Sequence, residues 1–121
     1  MQHLFILFAE NHPDIKFSQQ QVDLIHYGQD WTRQWTPKPR VVVFPESYEQ
    51  VQNVVRFANV HKISIVPSGG RTGLSGGAVA NNGEIVLSLE RLNKVIEFDE
   101  FERTLTVQAG IVTEQLQREA E

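Results

Sequence analysis

The sequence contains no cysteine, and this absence excludes several kinds of site together. Without a thiol the chain cannot form a disulfide, a zinc–thiolate centre or a cysteine nucleophile, although the absence does not indicate a compartment. Histidine clusters are also missing, because the four histidines are too dispersed for metal-ligand spacing. We therefore expect no metal site, and we interpret His26 as a structural or solvated residue.

Positive charge and long apolar runs are scarce as well. Eleven Lys and Arg residues against fifteen Asp and Glu residues give a formal net charge of -4, which argues against a general nucleic-acid-binding surface. The apolar stretch from Leu4 to Ala9 is too short to span a bilayer, and no basic segment precedes it as in a signal peptide. These absences predict a cytoplasmic protein with no transmembrane segment and no nucleic-acid partner.

The composition is that of one globular domain. The chain has 121 residues, of which 40% are hydrophobic and 21% are charged, and these values allow a packed core. We divide the chain into a helical and aromatic lead-in, residues 1–39, and a second part, residues 40–121, in which strand patterns dominate.

We predict two helices in the lead-in. The first ends near Asn11, because the residue before Pro13 disfavours helical angles. The second begins at Ser18, whose hydroxyl stands at capping-box spacing from Gln21, and it ends at Gly28. The expected buried residues are Leu4, Ile6, Leu7, Phe8 and Ala9 in the first helix, and Val22 and Ile25, with Leu24 as a further candidate, in the second.

Three aromatic residues follow at four-residue spacing: Tyr27, Trp31 and Trp35. We predict that their rings pack against the protein, and a direct ligand contact is the alternative. Pro37 and Pro39 then require an extended approach to the next element.

Residues 40–66 predict a strand–helix–strand unit. The β-branched run from Arg40 to Phe44 is typical of a strand buried on both faces, and the next strand is expected at 63–66. Between them, Ser47 would cap a helix from about Tyr48 to His61. Its apolar residues recur at the spacing of one helical face: Val51, Val54, Val55 and Ala58. Short connections imply a right-handed crossover between parallel strands.

A glycine loop, residues 67–78, leaves the carboxyl end of this second strand, where open α/β sheets bind ligands. It contains five of the eight glycines, which predicts positive φ angles or close approach by a ligand. Consecutive amides in such a loop can form a concave site for a phosphate or pyrophosphate. Thr72 and Ser75 add hydroxyl donors, and Arg71 either faces the ligand or closes the loop from outside.

The loop does not match two common nucleotide motifs. No Gly-Lys-Ser/Thr sequence closes it, which excludes a mononucleotide P-loop, and Gly-x-Gly-x-x-Gly fails in every register. A flexible loop without a ligand is the alternative, but the position between two apolar strands favours a phosphate-containing ligand.

The remaining residues predict a strand, a hairpin and a helix. The strand covers 85–89, and the hairpin pairs Val95–Phe98 with 104–109, with Ile96 and Phe98 opposite Leu105 and Val107 in one register. Gly110 permits close backbone approach, and Thr113 caps a last helix with Leu116 on its inner face. This helix has barely begun at Glu121, which predicts a chain truncated at its carboxyl end.

Four segments in this order resemble the first half of the FAD-binding domain of the FAD-linked oxidase family, the p-cresol methylhydroxylase or vanillyl-alcohol oxidase type. Within that family the sequence is most similar to the group of glycolate oxidase FAD subunits, D-lactate dehydrogenases and D-2-hydroxyglutarate dehydrogenases. The four segments are Pro45-Glu46-Ser47, the glycine loop, Leu87-Ser88-Leu89-Glu90-Arg91-Leu92-Asn93 and Gln108-Ala109-Gly110. The segment Tyr27-Gly28-Gln29-Asp30-Trp31 further supports the similarity to this group.

The resemblance implies an α+β fold: a small parallel βαβ unit followed by a β-hairpin, with N-terminal helices and with residues 40–121 as the first part of the FAD-binding domain. It implies that backbone amides hold the FAD pyrophosphate, with Gly110 near the flavin. Some relatives attach the flavin through a histidine whose place Arg71 takes here, so FAD would be non-covalent. The implied cofactor-binding residues are Pro67, Ser68, Gly69, Gly70, Arg71, Thr72, Gly73, Leu74, Ser75, Gly76, Gly77 and Gly110.

The resemblance also implies an activity for the intact protein, which is oxidation of a D-2-hydroxy acid to the 2-keto acid with electrons passed to a separate acceptor. No catalytic residue can be assigned in this chain. Two alternatives stay open. The chain is a folded fragment or interaction module that does not hold FAD alone and that self-associates, or it belongs to an oxidase of the same fold that acts on another alcohol.

Overall fold

The computed structural model describes the backbone of residues 2–121 and the side chains of residues 5–121, and it confirms the α+β class. The elements in chain order are α1 Gln2–Asn11, β1 Lys16–Ser18, α2 Gln21–Tyr27, β2 Val41–Phe44, α3 Tyr48–His61, β3 Ile65–Ser68, β4 Ile85–Ser88, β5 Val95–Asp99, β6 Thr104–Val107 and α4 Thr113–Ala120.

Four strands form one sheet in the order β1-β2-β4-β3, and β5 and β6 form a separate hairpin. Strands β2 and β3 are both parallel to β4, while β1 is antiparallel to β2. The predicted parallel βαβ unit is therefore present. Its two strands do not pair with each other, because β4 lies between them.

The alternating side chains of β2 supply two separate cores, because successive residues of a strand point to opposite faces. Val41 and Val43 join a larger core with α1 and α3 on one face. Val42 joins a smaller core with Ala80, Val86 and residues of α2 on the other face. Burial on both faces explains why β2 reads as an uninterrupted apolar run.

Helix α1 ends at Asn11 as predicted, but its buried side differs from the prediction. Phe5 is 1% exposed and Phe8 is also buried, whereas Leu7 is 56% exposed and Ile6 is exposed as well. The Phe5 and Phe8 rings lie 6.1 and 4.7 Å from the ring of Phe57 on α3. This aromatic contact sets the rotation of the helix, so the prediction is wrong for Ile6 and Leu7. The side chain of Leu4 lies outside the described residues.

The predicted start of the second helix at Ser18 is wrong. Ser18 ends β1, whose pairing with β2 depends on a distant strand, and α2 begins at Gln21 with no side-chain cap. The Ser18 hydroxyl instead donates to the Asp23 carboxylate. Within α2 the predicted burial of Val22, which is 69% exposed, and of Ile25 is also wrong. The partly buried residues that pack on the smaller core are Leu24 and Tyr27.

Helix α3 has the predicted bounds and the predicted cap. The Ser47 hydroxyl accepts a hydrogen bond from the Gln50 amide at 3.2 Å, which fixes the first turn. Val54 and Ala58 are buried as expected, but Val55 is exposed. Gln50 takes a buried place instead, where its side-chain oxygen accepts from the Glu46 amide at 2.8 Å.

Strand β3 begins two residues later than predicted and includes Pro67 and Ser68, because Ser68 pairs with Ser88 of β4. In the hairpin, Phe98 faces Leu105 as predicted. Val107 faces Val95 rather than Ile96, because the register is irregular between 95 and 97.

The last helix, α4, covers residues 113–120, but Thr113 does not cap it. Val112 precedes the helix and forms no side-chain cap bond, and Leu116 is half-buried. Among the described residues, no helix is long and apolar enough to cross a membrane.

Candidate functional site

A groove of about 430 Å³ lies between the glycine loop and the start of α4. The loop reaches it directly from β3, whose last residue, Ser68, accepts a hydrogen bond from the Leu89 amide at 3.0 Å. The loop thus leaves the carboxyl end of a parallel strand, as predicted. The lining residues are Gly69, Gly70, Arg71, Thr72, Glu90, Ala109, Gly110, Ile111, Val112 and Thr113.

Most glycines of the loop have no protein atom close to the position that a side chain would occupy. A Cβ atom added at Gly69, Gly73 or Gly77 would meet no atom within 4 Å, and one at Gly70 would meet only the Thr72 methyl group at 3.9 Å. Packing within the chain therefore does not require glycine at these positions. A molecule that approaches the loop backbone closely would require it, which fits a bound ligand.

The backbone amides of the loop are also available. In the described part of the chain, the amides of residues 69–75 form no hydrogen bond. Seven consecutive donors without partners, of which residues 69–72 line the groove, are suited to an anion with several oxygens. A diphosphate has that chemistry, so the residues present fit the predicted ligand.

Arg71 turns its guanidinium towards α2 and along its own loop. Its Nη1 donates to the Gly69 carbonyl at 3.0 Å, and its Cζ lies 4.7 Å from the centre of the Tyr27 ring. Its Nη2 lies 3.4 Å from Nε2 of His26. Arg71 also has a positive φ of 59°. The structure therefore favours the loop-closing alternative, although Arg71 still lines the groove.

Tyr27 links this arginine to an acid on the groove. Its hydroxyl donates to Oε1 of Glu90 at 2.9 Å. Burial, followed by the hydrogen bond to Glu90 and the charge of that carboxylate, raises the pKa of Tyr27. The phenol therefore stays neutral at physiological pH, and its ring contacts the Arg71 cation on one side of the loop.

The second half of the loop is held by Asp30, which sequence reasoning did not assign to the site. Asp30 is 3% exposed, and its Oδ2 accepts from the Gly76 amide at 3.1 Å. Its Oδ1 accepts from the Thr32 hydroxyl at 2.6 Å and from the Thr32 amide at 3.0 Å. These donors, the Thr32 hydroxyl first, hold the pKa of Asp30 below its ordinary value. The only available signal was the Asp-x-Thr spacing, which is typical of a local Asx turn.

The aromatic residues near the loop behave differently from one another. Trp35 lies against Gly76, where an added Cβ would stand 3.2 Å from its ring, and Gly76 has a positive φ of 83°. Tyr27 packs at 5.1 Å against the Phe44 ring. Trp31 is 66% exposed, so the predicted packing of its ring is wrong; its amide instead donates to the Gly73 carbonyl at 3.2 Å.

Gly110 forms the opposite wall and confirms the predicted close approach of backbone. A Cβ atom there would overlap the carbonyl oxygen of Leu89, and the Gly110 amide donates to the Leu92 carbonyl at 2.8 Å. Ile111, Val112 and Thr113, the first residue of α4, follow at once and line the groove. Helix amides carry partial positive charge at this end, so α4 adds to the attraction for an anion.

The described residues contain no group of three His, Asp or Glu side chains that could hold a metal ion. The site chemistry of this chain is therefore that of backbone amides, hydroxyls, one arginine and one acid.

Comparisons with known proteins identify the family of this chain. Residues 39–121 match the sequence model of a family described as an FAD binding domain. D-2-hydroxyglutarate dehydrogenase of Xanthomonas citri pv. viticola is 60% identical over 102 residues, which cover 84% of this chain and 22% of that protein. The enzyme of the same name from Stutzerimonas stutzeri is 57% identical over 95 residues, which cover 78% of this chain and 20% of that protein. The chain thus spans about a fifth of the length of these relatives.

A solved structure of p-cresol methylhydroxylase with substrate bound has the same fold. The superposition gives a TM-score of 0.77 at 24% identity and covers 98% of this chain and 25% of that one. The match confirms the predicted fold type, and the named relatives confirm the predicted resemblance to the D-2-hydroxy-acid dehydrogenase group.

Proposed function

This chain belongs to the FAD binding domain family, and from that premise we propose that its glycine loop holds the diphosphate of FAD. The observation that best supports this proposal is that the amides of residues 69–75 form no hydrogen bond in the described part of the chain. The glycines among them also leave space for a ligand next to the backbone. Arg71 and the N-terminus of α4 favour negative charge in the same groove, and Glu90 opposes it.

We assign the two halves of the loop to different parts of the ligand. Residues 67–72 contact one phosphate, and residues 73–77 contact the other phosphate and the adjoining ribose. Gly110 lies nearer the flavin ring. Gly76 contributes shape rather than a donor, because Asp30 already accepts its amide hydrogen.

The bound cofactor would supply the redox chemistry, and this chain's residues bind and orient it. We propose that binding is non-covalent, because Arg71 stands where some relatives carry a histidine that bonds to the flavin. Residues 1–39 act as a lead-in that supports the FAD-binding part, residues 40–121. The hydrogen bond from the Gly76 amide to Asp30 and the contact of the Tyr27 ring with Arg71 support that division of roles.

For the whole protein we propose oxidation of a D-2-hydroxy acid to the 2-keto acid, with D-2-hydroxyglutarate as the first substrate to test. Two relatives named for that substrate support this choice. Electrons from the reduced flavin pass to a separate acceptor. We also propose a cytoplasmic location for the protein.

Absorbance tests the cofactor, and a substrate panel tests the reaction. The complete protein, purified with added FAD, should show a flavin spectrum that acid precipitation transfers entirely to the supernatant. A yellow pellet would contradict non-covalent binding, and a colourless protein would refute FAD binding. Among D-2-hydroxyglutarate, D-lactate, glycolate and an unrelated alditol, the first should bleach the flavin fastest. Preference for the alditol would support an oxidase of the same fold with another alcohol substrate.

An interaction module is the second candidate, and the β5–β6 hairpin favours it. Both faces of the hairpin are largely exposed, including Ile96 and Phe98, and Phe101 at its turn is 96% exposed. These 121 residues alone should therefore bind FAD weakly and tend to self-associate through the hairpin. Titration of FAD and sedimentation of this chain test both points; a monomer that binds FAD tightly would exclude the candidate.

A further inference from the structure

We propose that Asp30 is a positioning residue for cofactor binding, which holds the glycine loop in its ligand-ready shape before FAD arrives. The inference rests on the proposed function. It deepens that function, because it assigns a role to a lead-in residue outside the loop and outside the groove lining.

The geometry of Asp30 joins two distant segments through one carboxylate. Oδ2 accepts from the Gly76 amide, and Oδ1 accepts from the Thr32 hydroxyl and amide. Both oxygens therefore face donors. An asparagine of the same shape would place an NH2 group, itself a donor, against one of these partners. No orientation of the asparagine amide can accept from both the Gly76 amide and the Thr32 amide.

Backbone contacts around Asp30 fix the same part of the loop. The Trp31 amide donates to the Gly73 carbonyl, and the Ala80 amide donates to the Gly28 carbonyl at 3.0 Å. With the Trp35 ring against Gly76, the segment around Asp30 holds the loop on both sides of residues 74 and 75. The amides of these two residues are left without partners in the described part of the chain.

This arrangement separates positioning from ligand contact. Gly76 gives its amide to the protein, and residues 69–75 keep theirs for the ligand. A loop that is already ordered loses less conformational entropy when it binds, so its affinity is higher than that of a mobile loop with identical donors. Asp30 acts on affinity in this way although it does not line the groove.

The test compares Asp30→Asn with a matched control, Asp99→Asn, in the complete protein. Asp99 also accepts two backbone amides of its own turn, those of Phe101 and Glu102, but it lies on the hairpin away from the loop. We expect Asp30→Asn to bind FAD about 10- to 100-fold more weakly, as the loss of a charge-assisted hydrogen bond implies, and Asp99→Asn to bind it normally.

Two further measurements separate positioning from general damage. Without FAD, amide hydrogen exchange at Gly76 should become faster in Asp30→Asn, while exchange at Val42 and Val86 in the sheet stays unchanged. At saturating FAD and substrate, kcat should match that of the unsubstituted protein, because Asp30 does not contact the reacting groups.

A second variant covers the case in which Asp30→Asn does not fold. Thr32→Val removes one donor to Oδ1 but keeps the bond to Gly76, so it should weaken FAD binding by a smaller factor. If Asp30→Asn and Asp99→Asn bind FAD with equal affinity, the inference is overturned and the proposed function still stands. If Asp30→Asn does not fold, the same conclusion follows when Thr32→Val binds FAD as tightly as the unsubstituted protein. Failure of the unsubstituted protein to bind FAD would overturn both.

Discussion

Gly69 and Gly110 both line the groove, but they are glycines for different reasons. At Gly110 the protein itself fills the space, since a Cβ would overlap the Leu89 carbonyl oxygen. At Gly69 an added Cβ would meet no atom within 4 Å, so packing within the chain does not require glycine. A ligand that approaches the backbone closely would require it. The distinction separates a residue that maintains the fold from one that admits the ligand.

Alanine should therefore lower stability at Gly110 and FAD affinity at Gly69. Gly110→Ala should lower the free energy of unfolding by about 1–3 kcal/mol, because the backbone must move to accept the methyl group. Gly69→Ala should leave stability within about 0.5 kcal/mol, because φ there is not positive, yet weaken FAD binding at least tenfold. Chemical denaturation without FAD and a flavin titration measure the two effects. Similar stability losses in both variants would contradict this account.

Among the elements, local signals identified α3 but not β1. The Ser47 hydroxyl and the apolar spacing lie within the helix and its own cap, so α3 could be predicted from neighbouring residues alone. Strand β1 has only three residues and exists through its pairing with β2, about 25 positions away in the chain. Short strands formed by distant pairing leave no local pattern, so the residues around Ser18 resemble a helix cap although Ser18 pairs with Val42.

The two helix starts predict different responses to alanine. Ser47→Ala should lower the free energy of unfolding by about 1 kcal/mol, because the Gln50 amide loses its acceptor. Thr113→Ala on α4 is the matched control and should change stability little, because Thr113 makes no cap bond. Urea denaturation of the complete protein measures both. A larger loss at Thr113 than at Ser47 would show that the caps are assigned wrongly.

Across the whole molecule, several ionisable groups that join distant segments of the chain have shifted pKa values. Hydrogen bonds from Thr32 and amides lower the pKa of Asp30, and bonding to Lys16, followed by the other charge contacts, lowers the pKa of Glu46. Burial and the neighbouring Glu90 raise the pKa of Tyr27. A lowered acid pKa stabilises the fold at higher pH, and a raised tyrosine pKa stabilises it at lower pH.

The stability of the protein should therefore decline on both sides of a plateau. The contributions of Asp30 and Glu46 are complete above their ordinary values of 3.8 and 4.5, and they are lost as pH falls through the lowered values. The contribution of Tyr27 is complete below 10.0 and is lost as pH rises through the raised value. Unfolding temperatures measured from pH 3 to pH 11, roughly the range over which these groups titrate, test this. Asp30→Asn should flatten only the acid limb, and Tyr27→Phe only the alkaline limb; the reverse would contradict the assignment.

The sequence by itself determined strand β2, the α3 helix, the position of the glycine loop and the close approach at Gly110. Each of these depends on residue types next to one another or on apolar spacing along one element. Tertiary structure alone decided that β4 separates β2 from β3, that Phe5 rather than Leu7 is buried, and that Asp30 holds the loop. These outcomes depend on contacts between residues far apart in the chain, and the energy of such contacts appears only once the chain has folded.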